Sequence, residues 1–387
     1  MGRGELERAL MPSGDGQQAG RADAPLPGYV ALFESGELAE RRRILDEILA
    51  SCVLCPRMCR VDRKAGQLGA CGVDARPRVA AMNIHPWEEP PISGKTGSGT
   101  VFFTGCTLKC LFCQNYPISQ MGVGRSLSVE ELASGMLALQ KKGACNINLV
   151  TATHQMPGVL SALELAVPEG LCIPLVCNTS GYERVEVLRL LQGIVDIYLP
   201  DIKYADGKAA EFCSGRADYV RSNRPALVEM WRQAGPLKVD GDGIARRGMM
   251  VRHMVLPEGL AGTDQCLKFL AVELGIDVWV SLMNQYFPAH KALVTPPLDR
   301  KVSEAEYEEA FEVLSALGFQ NGFVQGDRVE GAGEALCGVE KRGPGSKPAA
   351  VGQGRGQGAS PWRGRLLRIR APRKEKSVLQ RNNLILT

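Results

Sequence analysis

From Thr100 onward, short apolar runs alternate with amphipathic stretches. TVFFTG (from Thr100), NINLVT (from Asn146), IPLVC (from Ile173), IVDIYL (from Ile194), MMVRHMVL (from Met249) and DVWVSLM (from Asp277) each read as a buried strand. Sequence of helical period follows every one of them. Ser128 with Glu131 and Ser303 with Glu306 place a capping box at the start of two of these helices, because the hydroxyl and the carboxylate each satisfy a backbone amide of the first turn. Leu132, Met136 and Leu139 fall on one face of the first helix; a second runs from near Pro157 to Gly170, and a third carries Val185, Leu188 and Leu191. Six strand and helix units predict an α/β fold with a parallel sheet, either open and doubly wound or curled into a full or partial barrel. Polar residues just after the strands favour the barrel, where functional groups gather at the carboxyl ends.

The chain upstream is less regular. ELAERRRILDEIL is a helix with Leu38, Ile44, Leu45 and Ile48 on one face, and from Cys52 to Gly99 little periodicity remains amid many Gly, Pro and Cys residues. This segment is expected to be irregular, held by a metal and by packing. The division expected is a disordered N-terminus (1–30), a helical and Cys-rich extension (31–99), a core barrel (100–325) and a disordered Gly/Arg-rich tail (326–387).

Composition changes that picture in three places. The 387 residues carry a net charge of only +4, yet from residue 327 onward there are 13 Lys and Arg against 5 Asp and Glu, so the basic surplus belongs to the tail. Neither the balance nor the tail demands a nucleic-acid partner. No apolar run is long enough for a membrane span, and the opening residues lack a signal-peptide core, so a cytoplasmic protein is expected. Thirteen cysteines in a reducing compartment read as metal ligands or catalytic thiols where closely spaced.

Two sets are closely spaced. Directly after the first strand, GCTLKCLFCQNY puts Cys106, Cys110 and Cys113 in C-x3-C-x2-C spacing on one loop. Three thiolates fall one short of closing a zinc tetrahedron or an iron-sulfur cubane, so a 4Fe-4S cluster held this way keeps one iron open. Here the chain resembles the radical S-adenosylmethionine superfamily, in spacing, in the aromatic Phe112 before the last cysteine, and in the polar Gln114, Asn115 and Tyr116 that follow. The resemblance implies a partial (β/α)6 TIM-like barrel, S-adenosylmethionine on the open iron, and its reductive cleavage to methionine and a 5'-deoxyadenosyl radical, the protein supplying orientation and a dry cavity.

NINLVTATH, VCNTSGYE, YLPDIKYAD and VRHMVLP, with PGYVALFESGEL, CVLCPRMCRV, HPWEEPPISGKTGSGTVFFTGC and GFQNGFVQ, resemble a predicted pyruvate formate-lyase activating enzyme group, over about residues 27 to 325. That implies a glycyl-radical enzyme as partner and a one-electron donor such as flavodoxin or ferredoxin. It also implies cofactor contacts at Phe112 and Asn115, and at Asn178, Thr179, Asp201 and Lys203, which match positions that hold the methionine carboxylate and a monovalent cation. An ion pair between Asp201 and Lys203 is the plain alternative. One departure stands out: a Gly-Gly-Glu-like segment is replaced by Thr151, Ala152, Thr153 and His154, so Thr153 and His154 are expected as cofactor contacts, with a structural role for the imidazole equally open. Strand alternation lets only one of Arg252 and His253 face inward, and Arg252 is preferred as a fixed cation. Asn284 and Gln285 are further candidates.

The second set, Cys52, Cys55, Cys59 and Cys71 (C-x2-C-x3-C-x11-C), can fill a zinc site or hold a second cluster. Cys145, Cys172, Cys177, Cys213, Cys266 and Cys337 have no ligand spacing, and most are expected as buried small apolar residues. His85, Glu88 and Glu89 in HPWEEPP suit a plain extended loop as well as a ligand set and stay unassigned. The expected function is a radical enzyme installing a glycyl radical; the alternatives are a small-molecule or peptide substrate, and a non-catalytic iron-sulfur sensor.

Overall fold

The computed structural model describes residues 25–325. The expected tail, Cys337 and the first 24 residues lie outside them. Ten strands form the sheet, β1 (Arg78–His85), β2 (Ser98–Phe103), β3 (Arg125–Ser126), β4 (Ile147–Val150), β5 (Leu175–Thr179), β6 (Ile197–Pro200), β7 (Lys238–Val239), β8 (Ala245–Met254), β9 (Trp279–Met283) and β10 (Gly322–Val324). Seven of them pair in parallel in the order β2-β4-β5-β6-β8-β9-β10, so each new parallel strand is added beside the last. A doubly wound sheet reverses its order part-way; this one does not, as in a partial TIM-like barrel. Its edges at β10 and β3 stay unpaired with each other among the described residues.

All six expected strands are present, and the two capping boxes form at Ser128 and Ser303. The parallel set has a seventh member, β10, only three residues long beside two glycines, too short for periodicity to register. Also unforeseen is β1, eight residues antiparallel to β2 inside the segment expected to be irregular. RVAAMNIH lacks a clean alternation because most of its side chains are only half-buried. The boundary expected at residue 30 falls inside the helix Gly28–Glu34. That helix is tied to the barrel, Gly28 N donating to Asp196 Oδ1 (3.0 Å) and Tyr29 Oη to the Ile173 carbonyl (2.8 Å).

The main core lies between the sheet and its helices. Leu132, Met136 and Leu139 from the helix Val129–Lys141 and Leu160 and Leu163 from Met156–Ala166 pack with Ile147 and Leu149. A smaller cluster draws Ile92 together with Val176, Leu199, Met250 and Phe323, from β5, β6, β8 and β10. Ile92 belongs to the turn Pro90–Ser93, which enters where the strands begin, since β1 runs antiparallel to β2 and Asn146 Nδ2 holds the Ile92 carbonyl (2.7 Å). Of the cysteines without ligand spacing, Cys145, Cys177, Cys213 and Cys266 are buried as expected, and Cys172 is half-buried.

Candidate functional site at the barrel mouth

The chain leaves β2 through Thr104 and Gly105. Gly105 has a positive φ of 87°, and a side chain there would collide with the Cys71 carbonyl, so the turn needs glycine. The following loop is anchored by its apolar residues. Leu108 and Phe112 sink into a cluster with Tyr182, Tyr204, Tyr219 and Tyr286, Phe112 meeting Tyr286 edge-to-face at 5.7 Å between centroids. Backbone bonds fix it further: Leu111 N to the Cys213 carbonyl (2.8 Å), Ala292 N to the Leu111 carbonyl (3.1 Å), and Gln120 Nε2 to the Cys110 carbonyl (2.9 Å). With its greasy residues buried, the loop leaves Cys106, Cys110 and Cys113 half-exposed.

Each sulfur already receives a donor. The Cys106 sulfur accepts the Leu108 amide and the Cys113 sulfur the Asn115 amide, while Ser119 Oγ lies 3.2 Å from Cys113 Sγ and Ser214 Oγ donates to Cys110 Sγ at 3.0 Å. Such donors favour thiolates. Burial opposes them: it pushes the Cys106 thiol well up and the Cys113 thiol up, and the neighbouring sulfurs push the same way while Lys203 pulls down. Three anions gathered here need a cationic centre, which an iron-sulfur cluster supplies, so the donor set fits a cluster. Among the described residues no three His, Cys, Asp or Glu side chains form a group that could hold a single metal ion. Ligands to separate irons of a cluster need not converge on one point.

The strand ends behave differently from one another. Lys203 Nζ meets Asp201 Oδ2 at 2.5 Å, the ion pair kept open as the alternative reading. Burial works against its charge, but Asp201 and the sulfurs of Cys110 and Cys106 raise the Lys203 pKa overall, so the ammonium stays charged beside the cysteine loop. Tyr219 and Asn223, which the sequence did not flag, brace this end: Lys203 N donates to Tyr219 Oη (3.1 Å), and Asn223 Nδ2 to the Asp201 carbonyl (3.0 Å). Asn115 is exposed at the loop's far end.

Thr153 and Thr179, expected to meet cofactor, both donate to one oxygen of Glu183, from Thr153 at 2.5 Å. Burial pushes that carboxyl up to about 7 against the two hydroxyls. His154 is likewise enclosed. Its Nε2 lies 2.8 Å from the Thr104 carbonyl, which can only accept, so the proton sits on Nε2, and burial drives the imidazole down to about 4. The ring thus props the strand end from which the cysteine loop springs.

Arg252 faces the barrel interior, as preferred, and His253 the helix layer, where it bonds the Ile202 carbonyl (2.7 Å) and Thr263 Oγ1 (2.9 Å). Arg252 is already engaged. Its Nε and Nη2 bond Glu89 at 2.8 and 2.5 Å, Nη2 also meets Glu88, and Nη1 reaches Asn178 Oδ1 at 3.3 Å. Asn148 Nδ2 donates to Glu88 at 3.1 Å. Though burial raises its pKa, Arg252 holds Glu89 below the usual carboxylate range. The unassigned Glu88 and Glu89 are therefore interior residues, and the adjacent carboxylates in HPWEEPP were the signal for them. Asn284 and Gln285 cap the loop side, Gln114 Nε2 donating to the Gln285 carbonyl at 3.0 Å and Asn284 N to Gln325 Oε1 at 2.7 Å.

Sheet, loop and donor set bring Cys106, Cys110 and Cys113 together at a strand end. Residues 100–233 match the family model of the Radical SAM superfamily, so this part of the chain is similar to a Radical SAM domain. The family implies a 4Fe-4S cluster and S-adenosylmethionine. Among curated proteins, the chain is 28% identical over 281 residues to an uncharacterized protein of Methanocaldococcus jannaschii, covering 70% of this chain and 76% of that one. It is 26% identical over 159 residues to the pyruvate formate-lyase-activating enzyme of Clostridium pasteurianum, covering 38% of this chain and 66% of that one. No helix among the described residues is long and apolar enough to cross a membrane.

Proposed function

We propose that the chain is an activating enzyme that installs a glycyl radical on a partner enzyme, with its cluster on Cys106, Cys110 and Cys113. The observation that carries this reading is the three-cysteine loop at the end of the first parallel strand, its sulfurs met by amide and hydroxyl donors and by Lys203. When bound, the cluster and S-adenosylmethionine supply a one-electron cleavage to methionine and an adenosyl radical able to take a hydrogen atom from a glycine Cα.

The chain's own residues do the rest. Lys203, held charged by Asp201, offers the methionine carboxylate a cation; Phe112 and Leu108 hold the loop so that the sulfurs keep their positions; Arg252 fixes Asn178 from within. A macromolecular partner is favoured by the surface around the loop. Met121 and Val123 follow it directly, Phe287, Leu293 and Val294 lie on the segment that bonds to it through Leu111, and all five are exposed, Val294 to 83%. The similarity to the Clostridium pasteurianum enzyme supports a glycyl-radical enzyme as that partner, with flavodoxin or ferredoxin as electron donor.

The test is anaerobic reconstitution followed by reduction in the presence of S-adenosylmethionine. Wild-type chain is expected to form 5'-deoxyadenosine and Cys110→Ala none above background. Transfer to a candidate glycyl-radical enzyme is read by electron paramagnetic resonance of the partner; cleavage without any such signal, but with consumption of an added small molecule, would replace the partner reading.

A further inference from the structure

A groove on the rim of the barrel takes no part in the activity proposed above. We propose that it is the docking site for a basic segment of the chain's own C-terminus, residues 361–376, held in cis. Three things carry this: the chemistry of the groove, the place where the described chain ends, and the sequence beyond that place.

The groove has a volume of about 1280 Å³ and lies between the helix Gly207–Ser214, which follows β6, and the short turn Pro257–Gly259, which follows β8. Its floor is apolar, with Ala209, Phe212, Ala217 and Leu260. Phe212 is 42% exposed while its helix neighbours Ala210 and Cys213 are buried, so the helix gives its small side chains to the core and its aromatic ring to the groove.

Acidic groups surround that floor. Asp206, Glu211 and Glu258 line the groove against one ammonium, Lys208. Asp206 accepts the Lys208 and Ala209 amides (2.7 and 2.9 Å), and Glu211 the Ala217 amide (2.7 Å). Neither carboxylate forms an ion pair among the described residues. Glu258 meets Arg300 only at 4.0 Å, and Arg300 is engaged by Glu306 at 2.8 Å. An apolar floor under an acidic rim fits a segment that carries apolar and basic side chains together.

The chain supplies such a segment. PWRGRLLRIRAPRKEK, residues 361–376, holds seven Arg and Lys against one Glu, interleaved with Trp362, Leu366, Leu367 and Ile369. The described chain also ends at the groove's wall. Gln325 N donates to Tyr307 Oη (2.7 Å), and the neighbouring Glu306 accepts the amide of Glu258 (2.7 Å), which lines the groove. The residues from 326 to 360 can cover at most roughly 120 Å, so the chain length does not keep segment and groove apart. Tethering also raises the segment's local concentration to the order of a millimolar, an advantage over any free basic protein of equal affinity.

Position gives the docking a consequence. The helix that walls the groove also holds the cysteine loop, its Cys213 carbonyl accepting the Leu111 amide (2.8 Å) and its Ser214 Oγ donating to Cys110 Sγ (3.0 Å). A docked segment lies beside the mouth and competes with a macromolecule approaching from that side.

The test is photo-cross-linking of the full-length chain carrying Trp362→benzoylphenylalanine, with the joined peptides identified by mass spectrometry. It needs neither cluster, S-adenosylmethionine nor partner, so its outcome is independent of the proposed activity. The expected result is a cross-link within one chain to residues 205–217 or 257–262, with a yield that falls about fivefold in about 0.5 M salt. Adding Glu211→Lys and Glu258→Lys should lower the yield about fivefold as well. Cross-links between two chains, to nucleic acid or to another face of the barrel overturn the proposal, as does the absence of any cross-link. An unchanged yield in the folded charge-reversed chain also overturns it. Where that variant does not fold, the salt series decides, and a yield indifferent to salt overturns the proposal.

Discussion

The mouth of the barrel and its interior both gather charge, and they resolve it in opposite ways. Inside, Arg252 is saturated by Glu88, Glu89 and Asn178, with Asn148 completing Glu88, so cation and carboxylates satisfy each other. At the mouth, three sulfurs have amide and hydroxyl donors and one shared neighbouring cation, Lys203, which is itself paired with Asp201. Interior groups are matched within the protein, which is the pattern of structure; the mouth sulfurs are met by hydrogen-bond donors and a neighbouring cation, which is the pattern of a binding site.

Breaking the interior should give the largest effect on stability. Arg252→Met leaves two buried carboxylates unpaired at a cost of about 3 to 5 kcal/mol, or a fall in Tm on the order of 10 °C, measured by thermal denaturation. A wall residue should give a smaller, pH-dependent effect. Because burial pushes Glu183 up to about 7, the folded chain holds that proton more tightly than the unfolded chain, whose carboxyl titrates near 4. The resulting stabilisation is full below about pH 4 and is lost as pH rises through 7, a change of about 2 to 4 kcal/mol. Glu183→Gln should remove this slope, seen as the pH dependence of urea midpoints relative to wild type.

At the mouth the effect should move from stability to binding. Lys203→Met is expected to weaken S-adenosylmethionine binding about 10- to 100-fold, with iron content unchanged, in equilibrium binding to reconstituted enzyme. An equal loss of iron would place Lys203 with the interior group. Smallest of all, Val294→Asp on the exposed rim should slow transfer to a partner enzyme a few-fold while leaving 5'-deoxyadenosine formation without partner intact.

The same contrast explains what was legible in the sequence. The cysteine loop is local: spacing, Phe112 and the preceding strand lie within a few residues, so its ligand character can be read along the chain. Ion pairing of Arg252 with Glu89 spans 163 residues and depends on the turn Pro90–Ser93 entering the barrel, which no local pattern announces. Thr153 and Thr179 lie at strand ends as read from the sequence, but only the fold brings Glu183 between them and makes both hydroxyls its hydrogen-bond donors. His154 follows the same logic, since its partner Thr104 lies 50 residues upstream. Strand β10, at three residues, needed β9 beside it to be a strand at all.

The central claim is that the mouth cysteines, not the other groups of the barrel, hold the reactive cofactor. Its most direct test is the yield of 5'-deoxyadenosine from S-adenosylmethionine by reduced, anaerobically reconstituted chain, wild type against Cys110→Ala. The account predicts robust formation by the wild type and only background from the variant at equal folded protein. Undiminished 5'-deoxyadenosine from Cys110→Ala would contradict it.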